Sequence, residues 1–165
     1  MRILAGYLIC AATVLSAQTP QPLTTAVQRM GAHFANVNRQ VLEMAQDFPA
    51  DKYGFRLTKE MRSFGEVIVH IASGNVYAAK AGRGETVKWD EIDPAGYHNK
   101  AEIVAMFQKS VDDAAATMKA NPEGPKKNLE PWMSVMEHSA EHYGLLVAYY
   151  RANGLVPPES RPKKK

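Results

Sequence analysis

Residues 23–48 read LTTAVQRMGAHFANVNRQVLEMAQDF, and this stretch decides the fold. Its apolar residues Leu23, Val27, Met30, Phe34, Val37, Val41, Met44 and Phe48 recur at spacings that alternate between four and three. Such a period keeps one stripe on one face of an α-helix and is the seam pattern of a helix bundle. The same spacing returns in Met61, Phe64, Ile68, Ile71, Asn75 and Ala78, and again in Val104, Phe107, Val111, Ala114 and Met118. A final stripe runs through Trp132, Val135, Ser139, His142, Leu146 and Tyr149. No stretch shows the period-two alternation of a strand. The expectation is an all-α four-helix bundle with helices near residues 22–47, 58–80, 99–120 and 128–152.

Local signals set the ends of these helices. Thr58 is the expected N-cap of the second, Asn99 caps the third with Glu102 closing a capping box, and Pro131 fits the first turn of the fourth. Gly154 followed by Pro157 and Pro158 stops the last helix. About ten residues join the first two helices and about seven the last two, which predicts two antiparallel hairpins. Between the second and third lie roughly 18 residues, Ala81 to His98, enough to run the length of a bundle and give an up-down-down-up order.

Composition narrows the classes. The chain has 165 residues, 45% of them hydrophobic, one cysteine and a net charge of +3. That is one domain with a core of its own. A single Cys10 excludes an internal disulfide or a cysteine-rich zinc knuckle. Lys163, Lys164 and Lys165 account for the whole net charge, so the body is balanced and no nucleic-acid footprint is expected. Met1 to Ala17 reads MRILAGYLICAATVLSA, with Arg2, an apolar run from Ile3 to Leu15 and small residues before Gln18. This is the layout of a secretory signal peptide, and the run is shorter than the roughly 20 residues of a membrane span. The expected organisation is a signal at 1–17, a bundle domain at 18–156 and a disordered basic tail at 157–165, in a protein exported to the periplasm and free of the membrane once cleaved.

One constellation does not look like packing. Glu137-His138-Ser139-Ala140-Glu141-His142 places two histidines one helical turn apart, within reach of one ion. His70 lies in the apolar middle of the second helix, where few partners are available for its ring nitrogens. A divalent metal shared by His70, His138 and His142 would satisfy all three. The alternative is ordinary: a histidine pair on a solvated face, and a core histidine bonded to a carbonyl or water. Glu66 lies one turn before His70 and is the candidate orienter or proton acceptor. His33 and His98 read as surface and loop residues, the methionines as core filler, and Trp89 as either an anchor over the bundle end or the wall of a substrate pocket.

Several stretches together carry a family resemblance: Phe48-Pro49-Ala50-Asp51-Lys52-Tyr53-Gly54-Phe55-Arg56, Arg62-Ser63-Phe64-Gly65-Glu66 leading to His70-Ile71-Ala72, Glu141-His142-Tyr143-Gly144, and Asn153-Gly154-Leu155-Val156-Pro157-Pro158. Over roughly Leu23 to Pro162 the chain resembles the DinB-like superfamily of four-helix-bundle candidate metalloenzymes. The resemblance implies a divalent metal held by one histidine of the second helix and two of the fourth, which are His70, His138 and His142 here. Zn, Ni and Fe all suit imidazole. It also implies pairing into a homodimer, and chemistry on a small-molecule substrate, either thiol transfer or hydrolysis. Export weighs against a cytosolic thiol cofactor. A non-catalytic metal-binding or interaction bundle is the competing class.

Overall fold

Each long helix begins where a side chain or a proline relieves the unpaired amides of its first turn. The computed structural model describes residues 25–162; residues 1–24, and with them the expected signal peptide, and Lys163 to Lys165 lie outside the described residues. Helix α1, Ala26–Asp47, is capped by a reciprocal pair in which Thr25 Oγ1 accepts from Gln28 N and the Gln28 side chain accepts from Thr25 N. Helix α2, Phe64–Gly82, opens with the same device, Ser63 with Glu66. Helix α3 spans Lys100–Ala120 behind Asn99, whose Oδ1 accepts from Glu102 N at 3.0 Å. A single turn at Gly124–Lys127 precedes α4, Glu130–Ala152, which takes Pro131 in its first turn. Gly154, at φ 69°, ends α4, with Gly154 N donating to Arg151 O and Leu155 N to Tyr150 O. No strand occurs among the described residues, and none of their helices is long and apolar enough to cross a membrane.

The start of α2 differs from expectation. Thr58 lies in a turn outside the helix, and Ser63 is the N-cap. The segment before it is held non-helical by Phe64 N donating to Phe55 O and Gly65 N to Tyr53 O. Arg56 reinforces this by pairing with Glu66 at 2.6 Å.

Packing contacts fix the topology. Gly65 lies against Ile103 and Gly82 against Thr117, so α2 and α3 run parallel. Gly31 lies against Met118, so α1 and α3 are antiparallel. Trp132 reaches Gly82 at the far end of α2, so α4 opposes α2, and Tyr150 donates to Met44 O, so α4 runs with α1. The order is up-down-down-up, as the long link predicts. The helices of each hairpin, α1 with α2 and α3 with α4, are antiparallel, yet they are not side by side: α1 and α2 each pack on α3 and α4 and face each other across the bundle. Residues 48–63 carry the chain over the bundle end, where Phe48 stacks on Phe64 at 3.8 Å between centroids.

Two apolar clusters fill the interior, one around Phe64, Ile68, Phe107 and Tyr150, the other around Phe34, Ala78, Val135 and Trp132. A polar layer separates them. Asn75 Nδ2 donates to Asn38 Oδ1 at 3.1 Å and lies 3.3 Å from Ser110 Oγ, all three residues buried. Such a layer is satisfied in only one register, which disfavours slipped packings of the three helices.

Residues 157–162 correct the expectation of a disordered tail from Pro157. Pro158–Ser160 forms a 3-10 turn, Arg161 Nη1 bonds Asp47 Oδ1 at 2.8 Å, and Glu159 pairs with Arg39 at 2.7 Å. These bonds fasten the segment to α1. Arg161 beside Asp47, opposed by burial and aided by the Tyr150 hydroxyl, holds that carboxyl below its ordinary value of 3.8. A depressed carboxyl stabilises the fold above its unfolded pKa and loses that contribution as pH falls through the folded one. Asp47→Asn is therefore expected to lower stability by up to about 1 kcal/mol at pH 7, since the pair is partly exposed. The gap to wild type should close as pH falls well below 3.8. Thermal melts at both pH values check this, and an undiminished gap in acid would contradict it.

Candidate metal centre

Helix α2 buries Val67, Ile68, Val69, Ile71 and Ala72, and His70 is the half-buried residue among them, facing α4. On α4, His138 and His142 sit one turn apart, also half-buried. Because α4 opposes α2, the pair comes down on His70. One donor atom from each ring lies within 4.8 Å of the others. His70 Nε2 is 3.0 Å from His138 Nε2. The ring centroids are 4.5 to 4.8 Å apart, each pair meeting edge-on.

Close approach is needed for this grouping, and Gly74 provides it. A Cβ there would lie 3.0 Å from Trp89 Cη2, 3.1 Å from His138 Nδ1 and 3.3 Å from Val135 Cγ2. Glycine leaves the space that His138 and Trp89 fill.

Burial and mutual repulsion keep the rings uncharged. Burial, then the neighbouring His142 and His70, pushes His138 down to about 3. Burial also lowers His70 and His142, with Arg62 adding to the effect, while Glu91 opposes it at His70 and Glu141 opposes it at His142. Neutral imidazole is the form that ligates a metal. The Nδ1 atoms of all three are buried without a hydrogen-bond partner. Each such atom costs about 1–3 kcal/mol in an ordinary interior. Three clustered lone-pair donors within 4.8 Å of one another fit a shared cation, and the donor set suits a divalent transition metal.

The remaining sequence candidates fall elsewhere. Glu66 does not turn to His70: Oε2 accepts from Ser63 N and Oε1 pairs with Arg56, both at 2.6 Å. Despite partial burial, those bonds hold its carboxyl below the ordinary value, so it is a cap and a poor base. His33 lines a groove between α1 and α4 with Met133 and Met136, and His98 precedes α3 in the open; neither joins the cluster. Met133 is itself 52% exposed, unlike the buried Met30, Met44 and Met118. Trp89 is no anchor over the bundle end. It lies 4.9 Å from the His138 ring and 5.5 Å from Tyr77, remaining 38% exposed.

One carboxylate at the site has no local signal. Glu91, in the α2–α3 link, places Oε1 at 3.2 Å from His70 Nδ1 and receives Arg62 Nη2 at 3.0 Å on each oxygen. The link has no period, so spacing does not reveal Glu91.

The family model described as the DinB superfamily matches residues 33–149. No curated protein sequence matches the chain.

Gly74 gives a test of the packing. Ala in a helix interior gains about 1 kcal/mol over Gly when nothing obstructs it. At Gly144 a Cβ would meet nothing within 4 Å. Gly144→Ala should therefore raise the melting temperature, and Gly74→Ala should forfeit that gain and shift Trp89 fluorescence. Equal stabilisation by both would contradict the crowding described.

Proposed function

The chain belongs to the DinB superfamily, and from that membership together with the three-imidazole cluster we propose that it is a metal-dependent enzyme acting on a small molecule outside the cytosol. The observation that carries the reading is the convergence of three neutral, half-buried histidines that bring one ring nitrogen each within 4.8 Å of the others. His70, His138 and His142 would hold a divalent ion such as Zn, Ni or Fe. Such an ion supplies Lewis acidity at a coordination position that the three imidazoles leave to other ligands.

The chain's own groups define the surroundings. Burial keeps each imidazole deprotonated and ready to bind without losing a proton. Trp89 covers the face of the cluster beside His138 and gives a substrate an apolar wall. Arg62, near enough to lower all three imidazoles, adds positive potential that favours an anionic group on the substrate. Arg2, the apolar run Ile3 to Leu15 and Ala17 support export, and an exported site favours hydrolysis over transfer from a low-molecular-weight cytosolic thiol. Pairing into a homodimer belongs to the same reading and is checked by light scattering.

Metal titration of chelator-treated protein tests the proposal. Wild type should bind one equivalent of Zn or Ni. His70→Ala, His138→Ala and His142→Ala should each weaken binding by well over the ~10–100-fold that loss of a supporting partner costs. His33→Ala and His98→Ala should match wild type. Stoichiometric binding that survives all three cluster variants would overturn the reading.

A further inference from the structure

We propose that Glu91 is a positioning residue for His70: its carboxylate holds the proton on Nδ1, which leaves the Nε2 lone pair aimed at the ion. This rests on the metal reading of the cluster. The two nitrogens of an imidazole lie on opposite edges of the ring, and the structure gives each a distinct neighbour. His70 Nε2 faces His138 Nε2 at 3.0 Å, and Nδ1 faces Glu91 Oε1 at 3.2 Å. Glu91 therefore addresses the edge turned away from His138. It acts through the ring and is not a member of the ligand set.

Arg62 holds this carboxylate, and further hydrogen bonds fix Arg62 and the link around it. Arg62 Nη2 lies 3.0 Å from both of its oxygens. The backbone of Arg62 is fixed in turn, because Arg62 O accepts from the hydroxyl of buried Tyr149 on α4. The next residue in the link, Ile92, donates its N–H to Ser73 Oγ at 3.0 Å, and Ser73 Oγ donates to Val69 O at 3.2 Å. The link is thus pinned to α2 within a turn of His70.

As a stability device this arrangement is weak. Arg62 and Glu91 are 46% and 45% exposed, and pairs so solvated contribute about 0–1 kcal/mol. Its distinguishing feature is the third partner. Among the described residues, His70 is the one cluster histidine with a carboxylate at its outer nitrogen; His138 Nδ1 lies against Gly74, and His142 Nδ1 has no hydrogen-bond partner. The Nδ1···Oε1 contact is not aligned as a full hydrogen bond, so the carboxylate acts here chiefly as a nearby charge. A neighbouring carboxylate selects the tautomer of a ligating histidine and raises its donor strength.

The test combines zinc affinity, read by competition with a chromogenic chelator, with long-range nitrogen NMR of the His70 ring in wild type, Glu91→Ala, Glu91→Gln and Glu91→Asp. Wild type should bind one equivalent of zinc with the proton on Nδ1 of His70. Glu91→Ala should bind ~10–100-fold more weakly, with a mixed tautomer in the metal-free protein and a melting temperature close to wild type. Glu91→Gln should fall between, and Glu91→Asp should restore part of both readouts. Wild-type affinity and an unchanged tautomer in Glu91→Ala would overturn the role of Glu91 while leaving the metal site standing. Failure of wild type itself to bind zinc or nickel would overturn the reading beneath it.

Discussion

The close approach of α4 to α2 is the constraint on which the site depends. At Gly82 a Cβ would lie 2.7 Å from Trp132 Cζ2 and 2.9 Å from Thr117 Cγ2, a separation that real side chains do not tolerate. Trp132 occupies that space, fully buried, and meets Phe34 of α1 edge-on at 6.1 Å. One indole thereby ties three helices together and sets how far α4 advances along α2. Two turns further on, Gly74 admits His138 in the same way. Each glycine costs a helix about 1 kcal/mol of propensity relative to alanine. Burial of a tryptophan offsets this several times over at about 25 cal/mol per Å².

The chain handles buried polarity in two contrasting ways. In the centre, Asn38, Asn75 and Ser110 bond to one another and to the Phe34 and Phe107 carbonyls, leaving Asn75 Oδ1 as the atom without a partner. That layer behaves as structural polarity does: it is nearly self-sufficient and specifies register. At the α2–α4 face, three imidazoles point at one another and leave three buried nitrogens unmatched. A structural layer built that way would be replaced by apolar residues at a gain in stability. Burial keeps these rings neutral, the form in which imidazole ligates a cation, and their convergence fits a shared ligand better than a structural role.

Local spacing made much of this legible in the sequence. The stripe from Met30 to Phe48, the pair His138 and His142, and the glycine stop at Gly154 each depend on contacts within one or two helical turns. The start of α2 was ambiguous because Met61 and Phe64 share a stripe, while the Ser63-Glu66 box that ends the loop is a four-residue signal inside it. Loop lengths predicted helix direction correctly but not adjacency, since residues 48–63 can fold over a bundle end as readily as turn a hairpin. Arg161 gave no sign that it would find Asp47. Glu91 was invisible as a site residue because an aperiodic link brings it to His70 by tertiary contact alone, and the same link left Trp89 open between an anchor and a pocket wall until its contact with His138 decided it.

The central claim is that His70, His138 and His142 act together on one ion, and X-ray absorption at the zinc edge of stoichiometrically loaded protein addresses it directly. The account predicts an inner shell of nitrogen and oxygen donors with the multiple-scattering signature of three imidazoles, reduced to two in His70→Ala. A shell with one imidazole or none, or a spectrum that His70→Ala leaves unchanged, would contradict it.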